Sequence, residues 1–196
     1  MAVGLNKQSL ERWQREDLEH LRYEYDLNRD DVVFDVGAYR GEFATEIRRR
    51  YGCQLVVIEP TDAVFQLKAV TGVRIVNRAA AAFDGVEHFG GQYYYTSSFE
   101  EPTHTYRCVD INRLLSEYER VALLKMNIEG AEYDLLQHII AAGRHRVIDN
   151  LQVQFHEIEG LPFERWYEEL ATQLKESHEL TFRYAYCWEN WRLRHA

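Results

Sequence analysis

The residues of this chain whose types suggest chemistry follow short apolar runs. They are three acids, one amide and one histidine: Asp35, Glu59, Asn127, Glu129 and His156. Short runs rich in β-branched residues are typical of buried strands. In open α/β sheets, ligands bind at the carboxyl ends of such strands. We therefore expect these five side chains to converge at one edge of a sheet.

The first apolar run leads directly into a glycine turn. Residues 32–36 read VVFDV, the turn reads GAYRG, and an amphipathic helix follows to about residue 51. Glycine permits positive φ and close approach, and a helix N-terminus presents free N–H groups. The dinucleotide pattern G-x-G-x-x-G is not met. Asp35 suits a ligand with cationic groups, such as the ammonium and sulfonium of S-adenosylmethionine, but an ordinary βα turn has the same pattern.

The second and third runs also end in polar residues. Glu59 closes residues 54–59, lies 18 positions after Gly41, and precedes Pro60, which would stop a strand. An acid about 20 residues after the glycine turn hydrogen-bonds ribose hydroxyls in doubly wound folds. Asn77 ends the third run, where it either reads an adenine edge or forms a turn. The spacing of Glu59 favours a cofactor site over a plain turn.

Composition limits the class of protein. The chain has 196 residues, 46% hydrophobic content and a net charge of −9, which fit one globular domain and make nucleic acid a poor candidate partner. Its three cysteines show no metal-binding or disulfide spacing, which favours reduced thiols. We find no signal peptide and no run long enough to span a membrane. We therefore expect a cytoplasmic protein.

Periodicity predicts further elements around these runs. We expect a leading helix over residues 9–25 with Ser9 as its N-cap, and short antiparallel strands over 83–110 with a loop near 96–102. Core strands are expected at 121–127 and 151–157, followed by a helix over 163–176. The alternating tail, 179–193, predicts two closing antiparallel strands.

The motifs together resemble the FkbM family of S-adenosylmethionine-dependent methyltransferases. They are VVFDVGAYRGEFA, VVIEP, LLKMNIEGAEYDLL and LQVQFHE, in the order of the family. The resemblance implies an α/β, Rossmann-like class I methyltransferase fold. Its sheet has seven mostly parallel strands, an antiparallel last strand, and helices on both faces. It also implies a single domain, residues 1–196, with a leading helical segment (1–28), a core holding the cofactor site (31–157), and a closing helix and β-hairpin (158–196).

The resemblance also assigns residues to the cofactor site. The residues that match the cofactor loop or complete the predicted cofactor site are Asp35, Gly37, Ala38, Tyr39, Gly41, Glu59, Pro60, Asn77 and Asn127. The family usually has aspartate at position 127 and often glutamate at 154, where this chain has Asn127 and Gln154. Both differences remove a carboxylate near the cleft, so the need for a divalent metal stays open.

The resulting hypothesis is an O-methyltransferase that uses S-adenosylmethionine and releases S-adenosylhomocysteine. Its acceptor would be a hydroxyl of a sugar, glycan or small natural product, with neither nucleic acid nor a membrane span involved. His156 is the expected base, since an unperturbed histidine pKa of about 6.5 suits the task. Glu129 and Asn127 complete the expected catalytic set, although Glu129 can instead cap the following helix. The alternatives are a cofactor-binding module without turnover and a methyltransferase with a non-hydroxyl acceptor.

Overall fold

A computed structural model describes residues 3–92, 95–97 and 102–194. Thirteen strands lie in the described part of the chain: β1 (Val3–Gly4), β2 (Val32–Val36), β3 (Gln54–Ile58), β4 (Val73–Val76), β5 (Ala79–Ala81), β6 (Gly85–Gln92), β7 (Tyr95–Ser97), β8 (Pro102–Asp110), β9 (Leu123–Met126), β10 (Asn150–Val153), β11 (Glu157–Ile158), β12 (His178–Tyr184) and β13 (Trp188–Leu193). The α-helices are α1 (Lys7–Arg15), α2 (Glu42–Tyr51), α3 (Ile111–Leu115), α4 (Glu132–Ala141) and α5 (Phe163–Leu174). Three 3₁₀ helices span Leu18–Arg22, Asp62–Ala69 and Arg144–Val147.

The central sheet has seven strands in the order β12-β13-β10-β9-β2-β3-β4. The pairs β2–β3, β3–β4, β2–β9 and β9–β10 are parallel, whereas β13 is antiparallel to both of its neighbours. This order and the antiparallel last strand confirm the predicted fold class. Because Val36 is in register with both Ile58 and Met126, the three central strands end at one edge.

Alternating side chains of the central strands fill two cores. On one face Phe34 and Leu124 pack in the cluster that includes α4 and α5, and on the other Val33 and Val57 pack with Ile47 of α2. All five side chains are fully buried. Burying a large aliphatic or aromatic side chain contributes roughly 1.5–3 kcal/mol. Tight packing on both faces fixes the edge where the strands end.

A smaller sheet stands beside the central one, in the order β5-β8-β6-β7. The antiparallel pairing of β6 with β7 and β8 confirms the strands expected between residues 83 and 110. The loop expected near 96–102 lies partly outside the described residues, and Tyr95–Ser97 are a strand. The parallel pairing of β5 with β8 was not expected.

The prediction of one leading helix capped by Ser9 is wrong. Asn6 caps α1, because its side chain accepts a hydrogen bond from the Ser9 N–H at 3.0 Å. Asp17, with φ 52°, separates α1 from the 3₁₀ helix that follows. Upstream of α1, β1 pairs with β11, which immediately follows His156.

All three cysteines are free and buried. None of the helices in the described ranges combines the length and apolar character that crossing a bilayer requires.

Candidate cofactor and active site

A cleft opens at the carboxyl edge of the central strands, between the central and the smaller sheet. Its lining consists of Gly37, Tyr39, Ile58, Glu59, Pro60, Thr61, Ala79, Ala80, Phe89, Asn127, Ile128, Glu129 and Ala131. Six of the residues singled out from the sequence are in this lining: Gly37, Tyr39, Glu59, Pro60, Asn127 and Glu129. The other five, Asp35, Ala38, Gly41, Asn77 and His156, are not in it.

The glycine turn reaches the cleft through Gly37. Its φ is +74°, and a Cβ built on it would lie 1.8 Å from the backbone oxygen of Asn127. Both conditions exclude a side chain at this position. The Gly37 N–H donates to the Ile58 carbonyl at 3.0 Å, and the Asn127 N–H donates to Val36 at 3.0 Å. The ends of three strands are thus joined by backbone contacts beneath the cleft.

Glu59 organises the turn from the neighbouring strand. One carboxylate oxygen accepts the Tyr39 N–H at 2.8 Å and the other accepts the Thr61 N–H at 2.9 Å. Tyr39 has φ 50°, a left-handed conformation that is uncommon outside glycine. Each carboxylate oxygen has a second acceptor site. Glu59 can therefore hold the turn and still accept a hydroxyl from a ligand.

Asp35 lies beneath the turn as half of a buried ion pair. The Lys125 ammonium is 2.9 Å from Asp35 Oδ1 and donates to the Gly37 carbonyl at 2.8 Å. Both side chains are buried, and Asp35 Oδ2 has no described hydrogen-bond partner. This lysine directs the aspartate towards the turn backbone. It links β9 to the turn that follows β2.

Gly41, Ala38 and Asn77 have structural roles. A Cβ at Gly41 would lie 2.3 Å from Leu67 Cδ1, and Ala38 is buried in the core cluster around α2. The Asn77 amide lies 3.1 Å from each of the carbonyl oxygens of Glu59, Pro60 and Thr61. These contacts favour the turn-forming interpretation of Asn77 over adenine recognition.

Three ionisable side chains form a chain at the other end of the cleft. Glu129 lines the cleft, and its Oε2 lies 3.5 Å from Nε2 of His156. The opposite ring nitrogen, Nδ1, lies 3.0 Å from Oε1 of Glu132. His156 is 3% exposed, so it lies behind Glu129 rather than in the cleft. Glu129 has φ 54°, and such backbone strain is common at ligand sites.

The environment of His156 determines its charge. Burial lowers the pKa of His156, but the nearby carboxylates of Glu132 and Glu129 outweigh burial and raise it. Both ring nitrogens face carboxylates, an arrangement that suits a protonated ring donating on both sides. Glu129 lines the cleft and His156 does not, so Glu129 is the one of these three side chains that a ligand in the cleft can reach.

Sequence reasoning missed two residues that build this site, Glu132 and Lys125. Glu132 is fully buried and accepts the N–H groups of Ile128 at 2.7 Å and Gly130 at 2.9 Å. It therefore fixes the loop that carries Glu129. Both residues belong to the LLKMNIEGAEYDLL block. The available signal was Lys125, a charged residue within an apolar run.

The hydrogen-bond acceptors of the cleft fit S-adenosylmethionine. Asn127 lines the cleft, and its buried Oδ1 has no hydrogen-bond partner among the described residues. A buried orphan acceptor is satisfied by a ligand donor such as an ammonium group. Within residues 3–92, 95–97 and 102–194, no group of three His, Cys, Asp or Glu side chains is arranged to hold a metal ion.

A family profile described as Methyltransferase FkbM domain matches residues 35–184. Curated proteins give no sequence match. The solved structure of methyltransferase FkbM from Methylobacillus flagellatus KT aligns with a TM-score of 0.55 and 12% identity, over 87% of this chain and 45% of that one. The chain thus spans less than half the length of that structure.

Other similar structures share the fold. A putative rRNA-methylase from Clostridium thermocellum aligns with a TM-score of 0.53 and 10% identity, over 92% of this chain and 94% of the other. The METTL16 MTase domain aligns with a TM-score of 0.50 and 11% identity, over 98% and 71% of the two chains.

Proposed function

The chain belongs to the FkbM methyltransferase family, and on that basis we propose that it O-methylates a hydroxyl of a sugar, glycan or small natural product. The observation that carries the O-methyl assignment is Glu129, a carboxylate at the cleft supported by His156 and Glu132. A hydroxyl is a weak acid, so its methylation requires a group that takes its proton.

The proposed roles follow from the contacts. When bound, S-adenosylmethionine supplies an electrophilic methyl group on a positively charged sulfur. Gly37 and Asn127 would hold its amino-acid part, and Glu59 would accept the ribose hydroxyls. Glu129 would take the proton of the acceptor hydroxyl, so that the hydroxyl oxygen could receive the methyl group. His156 holds Glu129 ionised and oriented from behind.

The charge of the cleft supports a neutral acceptor over RNA. Its described lining contains the carboxylates of Glu59 and Glu129 and neither lysine nor arginine. A nucleic-acid acceptor requires cations along the path of its phosphates. The net charge of −9 points the same way. We therefore propose a small-molecule or glycan acceptor, and a cytoplasmic location as expected from the free cysteines.

Two variants test the assignment, with Glu159→Gln at an exposed position as a matched control. S-adenosylhomocysteine binding is measured by calorimetry, and methyl transfer is measured on a panel of glycosides and hydroxylated natural products. Glu59→Ala should weaken S-adenosylhomocysteine binding. Glu129→Gln should leave that binding nearly intact and lower turnover by about 10²–10⁴-fold.

A cofactor-binding module without turnover is the second candidate, and Asn127 in place of the usual aspartate favours it. It predicts S-adenosylhomocysteine binding with no methyl transfer to any acceptor on the panel. Absence of S-adenosylhomocysteine binding to the unaltered protein would overturn both candidates. Transfer to amines but not to hydroxyls would instead identify a non-hydroxyl acceptor.

A further inference from the structure

Tyr133 is a buried tyrosine in the first turn of α4, next to Glu132. Its side chain and backbone together are 3% exposed, and its hydroxyl donates to the backbone carbonyl of His156 at 2.7 Å. This hydrogen bond spans 23 positions of the chain and joins α4 to the segment between β10 and β11. Tyr133 therefore binds the same histidine as Glu132 does.

Glu132 and Tyr133 hold different parts of His156. The carboxylate of Glu132 lies 3.0 Å from the ring nitrogen Nδ1, whereas the Tyr133 hydroxyl binds the backbone. Partners of this kind behind a functional side chain fix its orientation. The opposite ring nitrogen, Nε2, then lies 3.5 Å from Glu129 at the cleft. The position of His156 against Glu129 thus depends on both residues of α4.

The ring of Tyr133 is itself fixed by aromatic packing. Its centroid lies 5.1 Å from that of Phe155 and 5.7 Å from that of Trp166. Because Phe155 precedes His156, Tyr133 contacts two consecutive residues of this segment. Burial, followed by the nearby carboxylate of Glu132, raises the pKa of Tyr133. The hydroxyl therefore keeps its proton and stays a donor at neutral pH.

We propose that Tyr133 is a positioning residue for methyl transfer. Its hydroxyl holds the backbone of His156 at the depth from which Nε2 meets Glu129, the group assigned above to the acceptor proton. Tyr133 does not belong to the cleft lining, so it acts through His156 rather than on a ligand. This inference rests on the proposed function, because it adds a residue to the same site.

Tyr167 of α5 is the matched comparison for Tyr133. It is also buried, its ring centroid lies 5.3 Å from that of Phe155, and its hydroxyl donates to the Glu189 carboxylate at 3.1 Å. Within the described part of the chain its hydroxyl makes no hydrogen bond to His156. Tyr133→Phe and Tyr167→Phe each remove one buried hydroxyl beside Phe155. A loss of stability alone should therefore affect the two variants alike.

The test compares both variants with the unaltered protein, each as the full chain. Nitrogen-15 NMR follows the ring nitrogens of His156 through a pH titration. Calorimetry measures S-adenosylhomocysteine binding, and a urea titration measures the free energy of unfolding. Methyl transfer is measured on the panel of glycosides and hydroxylated natural products.

Tyr133→Phe should lower the pKa of His156 by about half a unit or more, because the ring moves away from the carboxylates that raise it. Turnover should fall about three- to thirty-fold, with S-adenosylhomocysteine affinity changed less than about twofold, since a small misplacement slows the reaction without removing a ligand contact. Tyr167→Phe should keep the His156 signals and the turnover of the unaltered protein.

A double-variant cycle checks that Tyr133 acts through Glu129. In the Glu129→Gln background, Tyr133→Phe should change turnover less than about twofold, because the carboxylate that it positions is already absent. If the two losses of turnover instead multiply as independent effects do, the positioning role is overturned.

The unaltered protein offers a check that does not depend on a variant. The Tyr133 hydroxyl proton should exchange slowly with water, and its NMR signal should shift as His156 titrates, because its acceptor is the carbonyl of that residue. A hydroxyl signal that ignores this titration would overturn the proposal.

Two further results would overturn the positioning role and leave the proposed function standing. One is an unchanged His156 pKa in folded Tyr133→Phe, and the other is an equal change in Tyr167→Phe. Absence of S-adenosylhomocysteine binding, or of methyl transfer to any acceptor, in the unaltered protein would instead refute the proposed function. The His156 signals would still show whether Tyr133 positions the histidine.

Discussion

The carboxylate of Glu132 lies 3.0 Å from Nδ1 of His156, and both side chains are buried behind the cleft. Glu132 also accepts two backbone N–H groups from the loop that carries Glu129. One fully buried acid therefore both raises the pKa of the histidine and holds the shape of the loop. Its influence on the site does not require contact with a substrate.

Glu132→Gln should lower the pKa of His156, because burial would then be opposed chiefly by Glu129. The amide group should also destabilise the fold by about 1–3 kcal/mol, since it leaves a buried donor or acceptor unpaired. An NMR titration of the His156 ring and a urea titration measure the two effects. Glu168→Gln, at an exposed position of α5, is the control, and an unchanged His156 pKa in Glu132→Gln would contradict the charge argument.

Lys125→Met should destabilise the fold by about 3–5 kcal/mol, because it leaves the Asp35 carboxylate buried and unpaired. Adding Asp35→Asn should recover part of that loss, since the uncompensated charge is removed. Urea unfolding of both single variants and of the double variant measures the coupling. Additive losses would show that the two side chains do not interact.

Gly37→Ala should lose more than about 4 kcal/mol of unfolding free energy, or fail to fold, because the new Cβ meets the Asn127 carbonyl. Gly143→Ala is the matched comparison, since Gly143 has a similar φ of +71° and no described atom lies within 4 Å of the position that a Cβ would take. It should lose only about 1–2 kcal/mol from the left-handed backbone. Equal losses measured by chemical denaturation would refute the close approach of the two loops.

His178 should make the protein sensitive to acid. Burial lowers the pKa of His178 to about 4, from an ordinary value near 6.5. Between about pH 4 and 6.5 the unfolded chain therefore binds a proton at His178, whereas the folded chain does not. The free energy of unfolding is therefore unaffected by this histidine above about pH 6.5. It falls by up to about 2–3 kcal/mol as the pH falls towards 4.

His178→Gln should flatten this part of the pH dependence, because glutamine keeps hydrogen-bonding capacity without titrating. Free energies of unfolding between pH 4 and 7 measure the difference between variant and unaltered protein. His20→Gln, at an exposed position, is the control. Parallel curves for His178→Gln and the unaltered protein would contradict the assignment.

Local patterns predicted the central strands well because their signals are short-range. Residues 32–36 form a mostly apolar run that stops before Gly37, and residues 54–58 form one that stops before Glu59. The strands β2 and β3 have those bounds. The helix after the glycine turn likewise ends at Gly52, as expected. Glu59, Asn127 and Glu129 meet at the carboxyl edge of the sheet, as expected from their positions after apolar runs.

The remaining features depend on partners far away in sequence. Lys125 lies in an apolar run, and only the neighbouring strand supplies Asp35 as its counter-ion. The strand expected over 151–157 ends at Val153, and His156 lies in the segment between β10 and β11, where Nδ1 faces the Glu132 carboxylate. The sequence did not predict the interruption of the leading helix at Asp17, because apolar residues continue at helical spacing on both sides of it.

The pairing of β1 with β11 has a consequence for the order of folding. Asn6 donates to the Glu157 carboxylate at 2.7 Å across a separation of 151 residues. The entropy lost on closing a loop grows with its length, so contacts this distant form after the local elements have condensed. In a chain made from its N-terminus, β1 must also wait for residues 157–158 to be synthesised. The backbone next to His156 should therefore be among the last parts of the site to acquire its native order.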